Sequence, residues 1–225
     1  MSHNGINIAI DGPAGAGKST VARLVAEKLG MVYIDTGAMY RAITWKVLQE
    51  GRQAEDDGQV ARIARELRIR LEPSEQGQKV FADDQDITSL IREPAINQQV
   101  STIAQHAAVR EQLTLLQQQM ASGKGVIMDG RDIGTKVLPD AEIKIFLTAS
   151  VEERARRRFE ELRTKYPDLT LEKLKEEIAQ RDHTDETRKE SPLTQAQDAI
   201  EVDTTGMSLS DVTARILEIA ERFKS

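Results

Sequence analysis

A glycine-rich segment near the start of the chain constrains the fold more than any other feature of the sequence. Residues 12–19 run Gly-Pro-Ala-Gly-Ala-Gly-Lys-Ser and match the pattern G-x-x-x-x-G-K-[ST] in full. The apolar run 6–10 precedes this segment, and a helical pattern from Lys18 to Leu29 follows it, with Gly30 as a candidate C-cap. Because a strand, a glycine-rich turn and a helix in this order form a phosphate-binding P-loop, we expect that structure here.

The chemistry of phosphate binding explains the residue types in this loop. Glycines let the backbone turn several N–H groups inward around an anion, and the helix N-terminus adds positive dipole charge. Lys18 can reach the β- and γ-phosphates of ATP, and the hydroxyl of Ser19 can bind Mg²⁺. A glycine-rich turn that only caps a helix is the alternative interpretation. The expected ATP ligands in the loop are Gly12, Pro13, Ala14, Gly15, Ala16, Gly17, Lys18, Ser19 and Thr20.

Short apolar runs alternate with helical segments along the rest of the chain. A final helix is predicted from about residue 209 to residue 223, with Ser208 as its N-cap. Strands that alternate with helices predict an α/β fold, in which a parallel sheet of about five strands is covered by helices on both faces. After the first strand, the predicted strands lie at residues 31–34, 125–128, 143–147 and 200–202.

Two segments interrupt this alternation. Residues 68–91 contain stretches of alternating apolar and polar residues, which predict a small antiparallel sheet inserted between helices. Residues 151–189 are strongly charged and helical in pattern. Ser150 together with Glu153 predicts a capping box at the start of this second segment.

Composition and charge exclude several classes of function. The 225 residues carry a formal net charge of −6, which argues against broad binding to nucleic acid or to anionic membranes. The chain has no cysteine, so disulfides, thiol nucleophiles and cysteine-ligated metal centres are excluded. No apolar run approaches membrane-spanning length, and residues 1–5 show no secretory signal pattern. We expect a cytoplasmic protein that acts on small molecules, and a monomer, since nothing in the sequence demands a partner chain.

An acidic residue follows the predicted strand at 125–128. Asp129 lies there, and a carboxylate at the end of such a strand can hold a water molecule on Mg²⁺. The predicted metal site therefore consists of Ser19 and Asp129. Asp11 and Asp132 are close to these segments in the sequence and could take the role of Asp129. A turn residue that only ends the strand is the remaining alternative.

Arginines are concentrated in the charged segment. Arg154, Arg157 and Arg158 are spaced to lie on one side of a helix, and Arg181 and Arg188 follow them. Guanidinium groups bind phosphate with two hydrogen bonds at once, and phosphoryl transfer spreads negative charge over three oxygens. These arginines can therefore form a mobile lid that closes over bound nucleotides and excludes water. A solvated charged face is the alternative interpretation.

These features favour one class of P-loop protein over two others. A GTPase would carry an Asn-Lys-x-Asp type of segment for base recognition, and this sequence lacks one. An ATP-driven motor is usually a larger protein. A compact chain with an arginine-rich lid instead favours a kinase that phosphorylates a metabolite.

Four segments together resemble the bacterial cytidylate kinases. They are IDGP at residues 10–13, DTGAMYR at 35–41, DGRDIGT at 129–135 and RDHTDETR at 181–188. The resemblance extends over nearly the whole chain, including the inserted small sheet. It implies transfer of phosphate from ATP to CMP or dCMP, with Mg²⁺ as cofactor. Another nucleoside monophosphate kinase, for UMP or AMP, and an ATP-binding regulatory module are the alternatives.

The resemblance also implies a division of the chain and roles for individual residues. The catalytic residues, which hold phosphates, are Lys18, Arg131, Arg181 and Arg188. The lid residues over ATP are Arg154, Arg157 and Arg158. The CMP-binding residues are Thr36, Tyr40, Arg41, Ser101, Arg110, Arg131, Asp132, Arg181, Asp185 and Arg188. The division is a core of 1–35, 120–150 and 190–225, a nucleoside monophosphate-binding region at 36–119 and a lid at 151–189.

Within the CMP site the implied roles differ. Ser101, Arg110 and Asp132 read the edge of the cytosine base. Arg41 binds the acceptor phosphate, and Asp185 binds the ribose together with Arg181.

The P-loop assignment predicts the effect of removing its lysine. We expect Lys18→Ala to lower turnover by orders of magnitude, because the ammonium charge is needed most while the γ-phosphate leaves. The fold should stay intact. Steady-state phosphate transfer and thermal unfolding of the variant test both statements, and near-normal turnover would contradict the assignment.

Overall fold

The computed structural model of the protein describes residues 5–74, 77–164 and 166–223. Within these residues the strands are β1 (Asn7–Asp11), β2 (Val32–Asp35), β3 (Ile69–Ser74), β4 (Gly77–Ala82), β5 (Gln85–Asp86), β6 (Val126–Gly130), β7 (Ile143–Thr148) and β8 (Ile200–Asp203). The α-helices are α1 (Lys18–Leu29), α2 (Thr36–Gln49), α3 (Asp57–Glu66), α4 (Pro94–Ile103), α5 (Ala107–Ala121), α6 (Val151–Leu162), α7 (Leu171–Thr187) and α8 (Leu209–Glu221). The predicted divisions of the chain also include residues 1–4, 75–76, 165 and 224–225, which lie outside the described residues.

Five strands form one parallel sheet in the order β2-β6-β1-β7-β8. Every neighbouring pair in this sheet is parallel. The predicted α/β fold with a five-stranded parallel sheet is therefore confirmed. Each of the five predicted strands begins and ends within two residues of the observed one.

The register of the sheet brings three strand ends to one place. Asp129 of β6 lies opposite Ile10 of β1 on one side and Asp35 of β2 on the other. The carboxyl ends of β1, β2 and β6 therefore meet at the same edge of the sheet. In open parallel sheets, ligands bind outside this edge.

Helices cover both faces of the sheet, as the sequence predicts. Ile8 and Ile10 of β1 belong to a core cluster that contains residues of α1 and α8. Ala9, between them, packs in a separate cluster that contains Ala121 of α5 and the π-helical turn Ile133–Val137. Successive residues of a strand point to opposite faces, so these two clusters form the two layers.

The inserted segment forms the predicted antiparallel sheet, in the order β3-β4-β5. Its inward residues Ile69, Val80 and Ala82 are buried. They join a cluster with residues of α2 and α3, including Met39 and Ile63. The small sheet therefore shares a core with the helix that directly follows β2.

The charged segment contains two helices, α6 and α7, that pack around Ala155, Leu174 and Ile178. Ser150 caps α6 as predicted, because its hydroxyl accepts a hydrogen bond from the Glu153 amide. A capping box also requires a hydrogen bond from the Ser150 amide to the Glu153 carboxylate, and this part of the prediction is wrong. The Glu153 carboxylate instead binds two guanidinium groups of its own helix, while the Ser150 amide donates to the Thr205 hydroxyl.

Two other predicted helix ends are confirmed. Ser208 caps α8 and forms a capping box with Asp211, although the helix ends at Glu221 rather than at residue 223. Gly30 ends α1 in the left-handed region, with φ 65°, and its amide bonds back to the helix. No helix in the described ranges is both long and apolar enough to cross a bilayer.

The backbone around Gly12 predicts an unusual intolerance to substitution. Gly12 has φ 145°, and a Cβ atom there would lie 1.9 Å from the carbonyl oxygen of Leu147 in β7. Gly12→Ala should therefore displace a central strand and lower the free energy of unfolding by more than about 3 kcal/mol. Gly30→Ala is the matched control, because it has a positive φ but no atom within 4 Å of its Cβ position.

For this control we expect a loss of only about 1–2 kcal/mol, the strain of a left-handed alanine. Urea unfolding of both variants measures the difference. Equal losses would contradict the close approach of the loop to β7.

Candidate active site

The loop between β1 and α1 has the geometry of an anion cradle. Gly15 and Gly17 have φ of 81° and 89°, which only glycine adopts readily, and Gly17 is the N-cap of α1. Lys18 begins the helix, is buried, and donates from Nζ to the carbonyl oxygen of Pro13 at 2.8 Å. Burial, reinforced by the positive charges of Arg131 and Arg181, lowers the pKa of Lys18 well below its usual range. A negatively charged group bound in the loop would stabilise the charged ammonium group and raise its pKa again.

Asp129 is the carboxylate that meets the P-loop. Its Oδ2 accepts from the Ser19 hydroxyl and its Oδ1 accepts from the Tyr33 hydroxyl, both at 2.8 Å. Burial raises the pKa of Asp129 to about 6, and the charge of Asp35 adds to the effect, while Lys18 opposes it. The two members of the predicted metal site are therefore in direct contact.

The two alternative carboxylates have other partners. Asp11 is buried and accepts hydrogen bonds from the backbone amides of Ile133 and Gly134, at 2.8 and 2.7 Å. Burial raises the pKa of Asp11 to about 6, although these amides oppose the shift. Asp132 is also buried and pairs with Arg110. Asp11 thus ties the end of β1 to the turn after β6.

Residues on α2 form a second wall of the site. Asp35 caps this helix by accepting from the Ala38 amide at 2.9 Å, and the Thr36 hydroxyl donates to the carbonyl oxygen of Asp129 at 2.7 Å. Burial raises the pKa of Tyr40 to about 12. The guanidinium of Arg41 makes no hydrogen bond or ion pair within the described residues, and burial lowers its pKa.

Arginines with unsatisfied donors converge on this wall. Arg131 donates from Nε to Asp185 at 2.9 Å, but Nε of Arg181 is buried without a partner in the described part of the chain. Burial, followed by the charge of Arg131, lowers the pKa of Arg181 to about 10, and Arg41 contributes in the same direction. The site thus holds more positive charge than its carboxylates balance, which is the property of an anion-binding site.

Asp185 is the carboxylate at the centre of these arginines. Burial opposes its ionisation, but the charges of Arg131 and Arg181 outweigh this and hold the pKa of Asp185 below its usual range. Arg188 lies 3.7 Å from the same carboxylate. Asp185 therefore stays ionised and orients the guanidinium groups around it.

Arg110 and Asp132 form a buried ion pair beside the ring of Tyr40. Arg110 Nη2 donates to Asp132 Oδ2 at 2.5 Å, and Nη1 donates to the Ala104 carbonyl at 3.2 Å. The Arg110 guanidinium lies 5.4 Å from the centre of the Tyr40 ring. Nε of Arg110 and Nη2 of Arg188 are buried with no hydrogen-bond partner among the described residues, and the latter is 4.0 Å from Asp132 Oδ1. The pair and Arg188 together therefore leave one acceptor oxygen, Asp132 Oδ1, and two donors without a hydrogen bond among the described residues.

Ser101 is less closely integrated. It lies half-buried on α4, and its carbonyl accepts from the Gln105 side chain at 3.4 Å. Its hydroxyl makes no hydrogen bond in the described ranges. A role for Ser101 therefore remains a prediction of the resemblance.

The three predicted lid arginines lie on one side of α6, as their i, i+3, i+4 spacing requires, but their side chains do not share one environment. Arg154 is buried and makes four hydrogen bonds, to both oxygens of Asp182 and to the carbonyls of Ala149 and Ala14. Arg157 binds Glu153 and Thr204, whereas Arg158 is exposed and binds Glu161. The spacing places the three residues on one side of the helix, but each side chain binds a different acceptor. Arg154 thus joins α6, α7 and the P-loop.

Comparisons with known proteins agree with this geometry. The sequence profile of the family described as Cytidylate kinase matches residues 8–222. This chain belongs to the cytidylate kinase family. A cytidylate kinase from Geobacillus thermodenitrificans is 55% identical over 214 residues, which cover 95% of this chain and 96% of the relative. A cytidylate kinase from Bacillus subtilis is 54% identical over 217 residues, which cover 96% and 97%.

A solved structure supports the fold alone. The shikimate kinase from Bacteroides thetaiotaomicron superimposes with a TM-score of 0.50 at 16% identity, covering 96% of this chain and 98% of that protein. As a member of the cytidylate kinase family, the chain is a phosphotransferase that uses ATP as donor.

Sequence reasoning missed three residues that complete the site of this family member. Tyr33 is the second partner of Asp129, and Asp182 is the bidentate partner of Arg154. Gln78, on the small sheet, binds the backbone of β2. Asp182 lies in a segment that the resemblance already used, three residues before Asp185 and on the same helix. For Tyr33 and Gln78 the sequence holds no local signal, because their partners are distant along the chain.

The raised pKa of Asp129 predicts a conflict between stability and function. The folded pKa is about 6 against an ordinary value of 3.8, so the ionised carboxylate destabilises the fold. The stability that comes with protonation is complete below pH 3.8 and is lost as the pH rises through 6. We expect Asp129→Asn to raise the free energy of unfolding at pH 7 by about 1–3 kcal/mol and to abolish turnover.

The control for this experiment is Asp11→Asn. Both partners of Asp129 are hydroxyls, which can rotate to accept a bond from an amide, whereas both partners of Asp11 are backbone N–H groups. We therefore expect Asp11→Asn to destabilise the fold despite the similar pKa. Denaturant unfolding at pH 7 and pH 4 measures both effects. A gain for Asp129→Asn that persists undiminished at pH 4 would refute the electrostatic explanation.

Proposed function

We propose that this chain transfers the γ-phosphate of ATP to CMP or dCMP, producing ADP and CDP or dCDP. The observation that supports this most directly is the buried Arg110–Asp132 pair with its unused hydrogen-bonding groups. Arg188 joins this pair to a cluster of arginines that also contains Arg41, Arg131 and Arg181. Arg131 and Arg181 of the cluster lie near Lys18 of the P-loop. A nucleotide with its phosphate in the cluster would bring its base to this pair.

The P-loop is the proposed donor site. Its backbone amides and Lys18 would bind the β- and γ-phosphates of ATP. Ser19 and Asp129 fit Mg²⁺, because hydroxyl and carboxylate oxygens are the ligands that this ion prefers, and theirs lie in contact. We propose that these two residues hold the ion, directly or through water. When bound, Mg²⁺ neutralises charge on the phosphates.

Asp129 can hold such an ion firmly because its own position is fixed. Tyr33 holds one carboxylate oxygen, and Thr36 holds the carbonyl of the same residue. Within the described ranges no three acidic or histidine side chains converge on a point. A site with one carboxylate suits an ion that keeps several of its waters.

The arginines are the proposed acceptor-phosphate site. Arg41, Arg131, Arg181 and Arg188 carry the positive charge that the carboxylates of the site leave unbalanced. The phosphate of CMP is already an anion at neutral pH, so no strong base is required for its attack on the γ-phosphate. The chain's residues therefore act by placing the two reacting groups in line and by stabilising the charge that spreads over the transferred oxygens. No covalent enzyme intermediate is involved.

The Arg110–Asp132 pair is the proposed base site. Cytosine offers an amino group at N4, and the free oxygen of Asp132 can accept from it. N3 and O2 of cytosine are acceptors, and the unused N–H groups of Arg110 can donate to them. Uracil has an oxygen at position 4, which would face the carboxylate acceptor to acceptor. A buried group left unpaired by the wrong base penalises that base.

The lid and the setting of the reaction complete the proposal. Residues 151–189 would close over the nucleotides and exclude water, with Arg154, Arg157 and Arg158 beside ATP, while Asp185 would bind the ribose. Residues 36–119 would bind the monophosphate, and Ser101 would join the base site. We propose that the protein acts as a cytoplasmic monomer in pyrimidine nucleotide metabolism. Its small-molecule substrates support this setting.

The Asp132 carboxylate provides the experiment that tests this function. In Asp132→Asn the side-chain oxygen still accepts from Arg110, so the ion pair is replaced without leaving that donor unpaired. The new amide group can donate to O4 of uracil. We expect the ratio of kcat/KM for CMP to that for UMP to fall by roughly 5- to 150-fold, which corresponds to 1–3 kcal/mol.

Lys18→Ala is the matched control. Because Lys18 acts on the donor phosphates, its loss should lower kcat/KM for CMP and for UMP by the same factor. A coupled assay of ADP release with CMP, dCMP, UMP and AMP measures all these values. If the wild-type protein shows no preference for CMP, or if Asp132→Asn leaves the ratio unchanged, the proposed base site is refuted.

A further inference from the structure

The outer edge of the parallel sheet is closed by a side chain rather than by another strand. β2 is the outermost strand of the sheet on the side of the active site. Its inner edge pairs with β6, and the Val32 amide donates to the Gly125 carbonyl there at 2.9 Å. Successive residues of a strand direct their backbone groups to opposite edges, so those of Tyr33 and Asp35 point away from β6. An outward-pointing N–H or C=O group needs a partner from outside the sheet.

Gln78 of β4 supplies that partner. Its Nε2 donates to the Tyr33 carbonyl at 2.7 Å, and its Oε1 accepts from the Asp35 amide at 3.1 Å. One amide side chain thus makes the two hydrogen bonds that a neighbouring strand would make. Because an N–H group can only donate and a carbonyl can only accept, the orientation of the Gln78 amide is fixed by its partners.

The residues that Gln78 holds are those that shape the reaction site. Tyr33 donates from its hydroxyl to Asp129, and Asp35 caps α2. Thr36, the first residue of α2, donates to the carbonyl of Asp129. A shift of this short segment would move the Asp129 carboxylate and the start of the acceptor-binding helix together.

The Gln78 amide therefore stands between the inserted sheet and the reacting groups. It touches neither the P-loop nor the arginine cluster in the contacts described above. Its influence on the reaction has to pass through the end of β2. A displacement of about 1 Å at a reacting group can lower a rate by about 100-fold, so two hydrogen bonds at this point can matter for catalysis.

We propose that Gln78 is a positioning residue for phosphoryl transfer. By holding the end of β2 through its amide, it keeps Asp129 and the start of α2 in their working geometry. This inference rests on the proposed function, since it assigns a role in that reaction. The hydrogen bonds themselves can be tested in the absence of any substrate.

The principal variant is Gln78→Leu, which keeps the size of the side chain and removes both hydrogen bonds. Gln85→Leu is the matched control, because Gln85 lies exposed on β5 of the same small sheet and does not bind β2. We expect Gln78→Leu to lower kcat about tenfold or more and to raise KM for CMP. KM for ATP should stay within about twofold of the wild-type value, because the P-loop follows β1.

Amide hydrogen exchange of the free protein provides the readout that does not depend on activity. In Gln78→Leu the Asp35 amide should exchange at least about tenfold faster, while the Val32 amide keeps its protection from β6. Gln78→Glu retains an acceptor for Asp35 but loses the donor to Tyr33. In this variant the Asp35 amide should stay protected while kcat still falls, which also covers the case in which Gln78→Leu does not fold.

The possible outcomes separate the two proposals. Wild-type kcat in both Gln78 variants, or a loss of kcat in Gln78→Leu without faster exchange at Asp35, would overturn the role of Gln78. An equal loss in Gln85→Leu would show a general effect of the small sheet and would overturn it as well. If the wild-type protein does not phosphorylate CMP, the proposed function fails, while the exchange data still decide whether Gln78 holds β2.

Discussion

The active site depends on the position of one buried carboxylate, that of Asp129. It lies at the end of β6, between the ends of β1 and β2, so parallel pairing on both sides determines where its backbone can be. Ser19 of the P-loop and Tyr33 of β2 each bind one of its oxygens. The P-loop and the segment where β2 leads into α2 therefore meet at this one residue. Burial raises the pKa of this carboxylate to about 6, which is the energetic consequence of keeping it in the interior.

A second constraint is the excess of positive charge around that point. The chain as a whole is acidic, with a net charge of −6, yet Arg41 and Arg181 face the site without hydrogen bonds among the described residues. Burial lowers the pKa of both guanidinium groups and of Lys18. The free protein thus stores unfavourable electrostatic energy where phosphates would relieve it. Bound nucleotides are expected to draw on this energy, since interactions that strengthen as charge develops are the ones that accelerate transfer.

A buried arginine connects the proposed lid to the P-loop. Arg154 binds both oxygens of Asp182 and also the carbonyl of Ala14 in the P-loop. Breaking such a pair by removing one partner leaves an uncompensated buried charge. The bases of α6 and α7 are therefore fixed to the loop, whereas Arg158 farther along α6 stays exposed. In the proposed function, the outer part of the segment is the part that would close over the nucleotides.

The sequence by itself determined the features that are local. The P-loop, the five strands of the parallel sheet and the caps at Ser150, Ser208 and Gly30 follow from residues within a few positions of one another. Their conformations depend on hydrogen bonds to the nearest backbone and on which face is apolar. The resemblance of four short segments to the cytidylate kinases added the residues of the proposed CMP site.

Tertiary structure decided which of these groups meet. Asp129 contacts Ser19 across 110 positions, Gln78 contacts Tyr33 across 45, and Arg154 contacts Asp182 across 28. The predicted capping box at Ser150 was wrong because arginines of the same helix bind the Glu153 carboxylate. The predicted lid arginines lie on one side of α6, but each binds a different acceptor, which their spacing does not reveal. A charged side chain takes the best partner that the folded chain brings within about 3 Å, and sequence spacing alone does not state which partner that is.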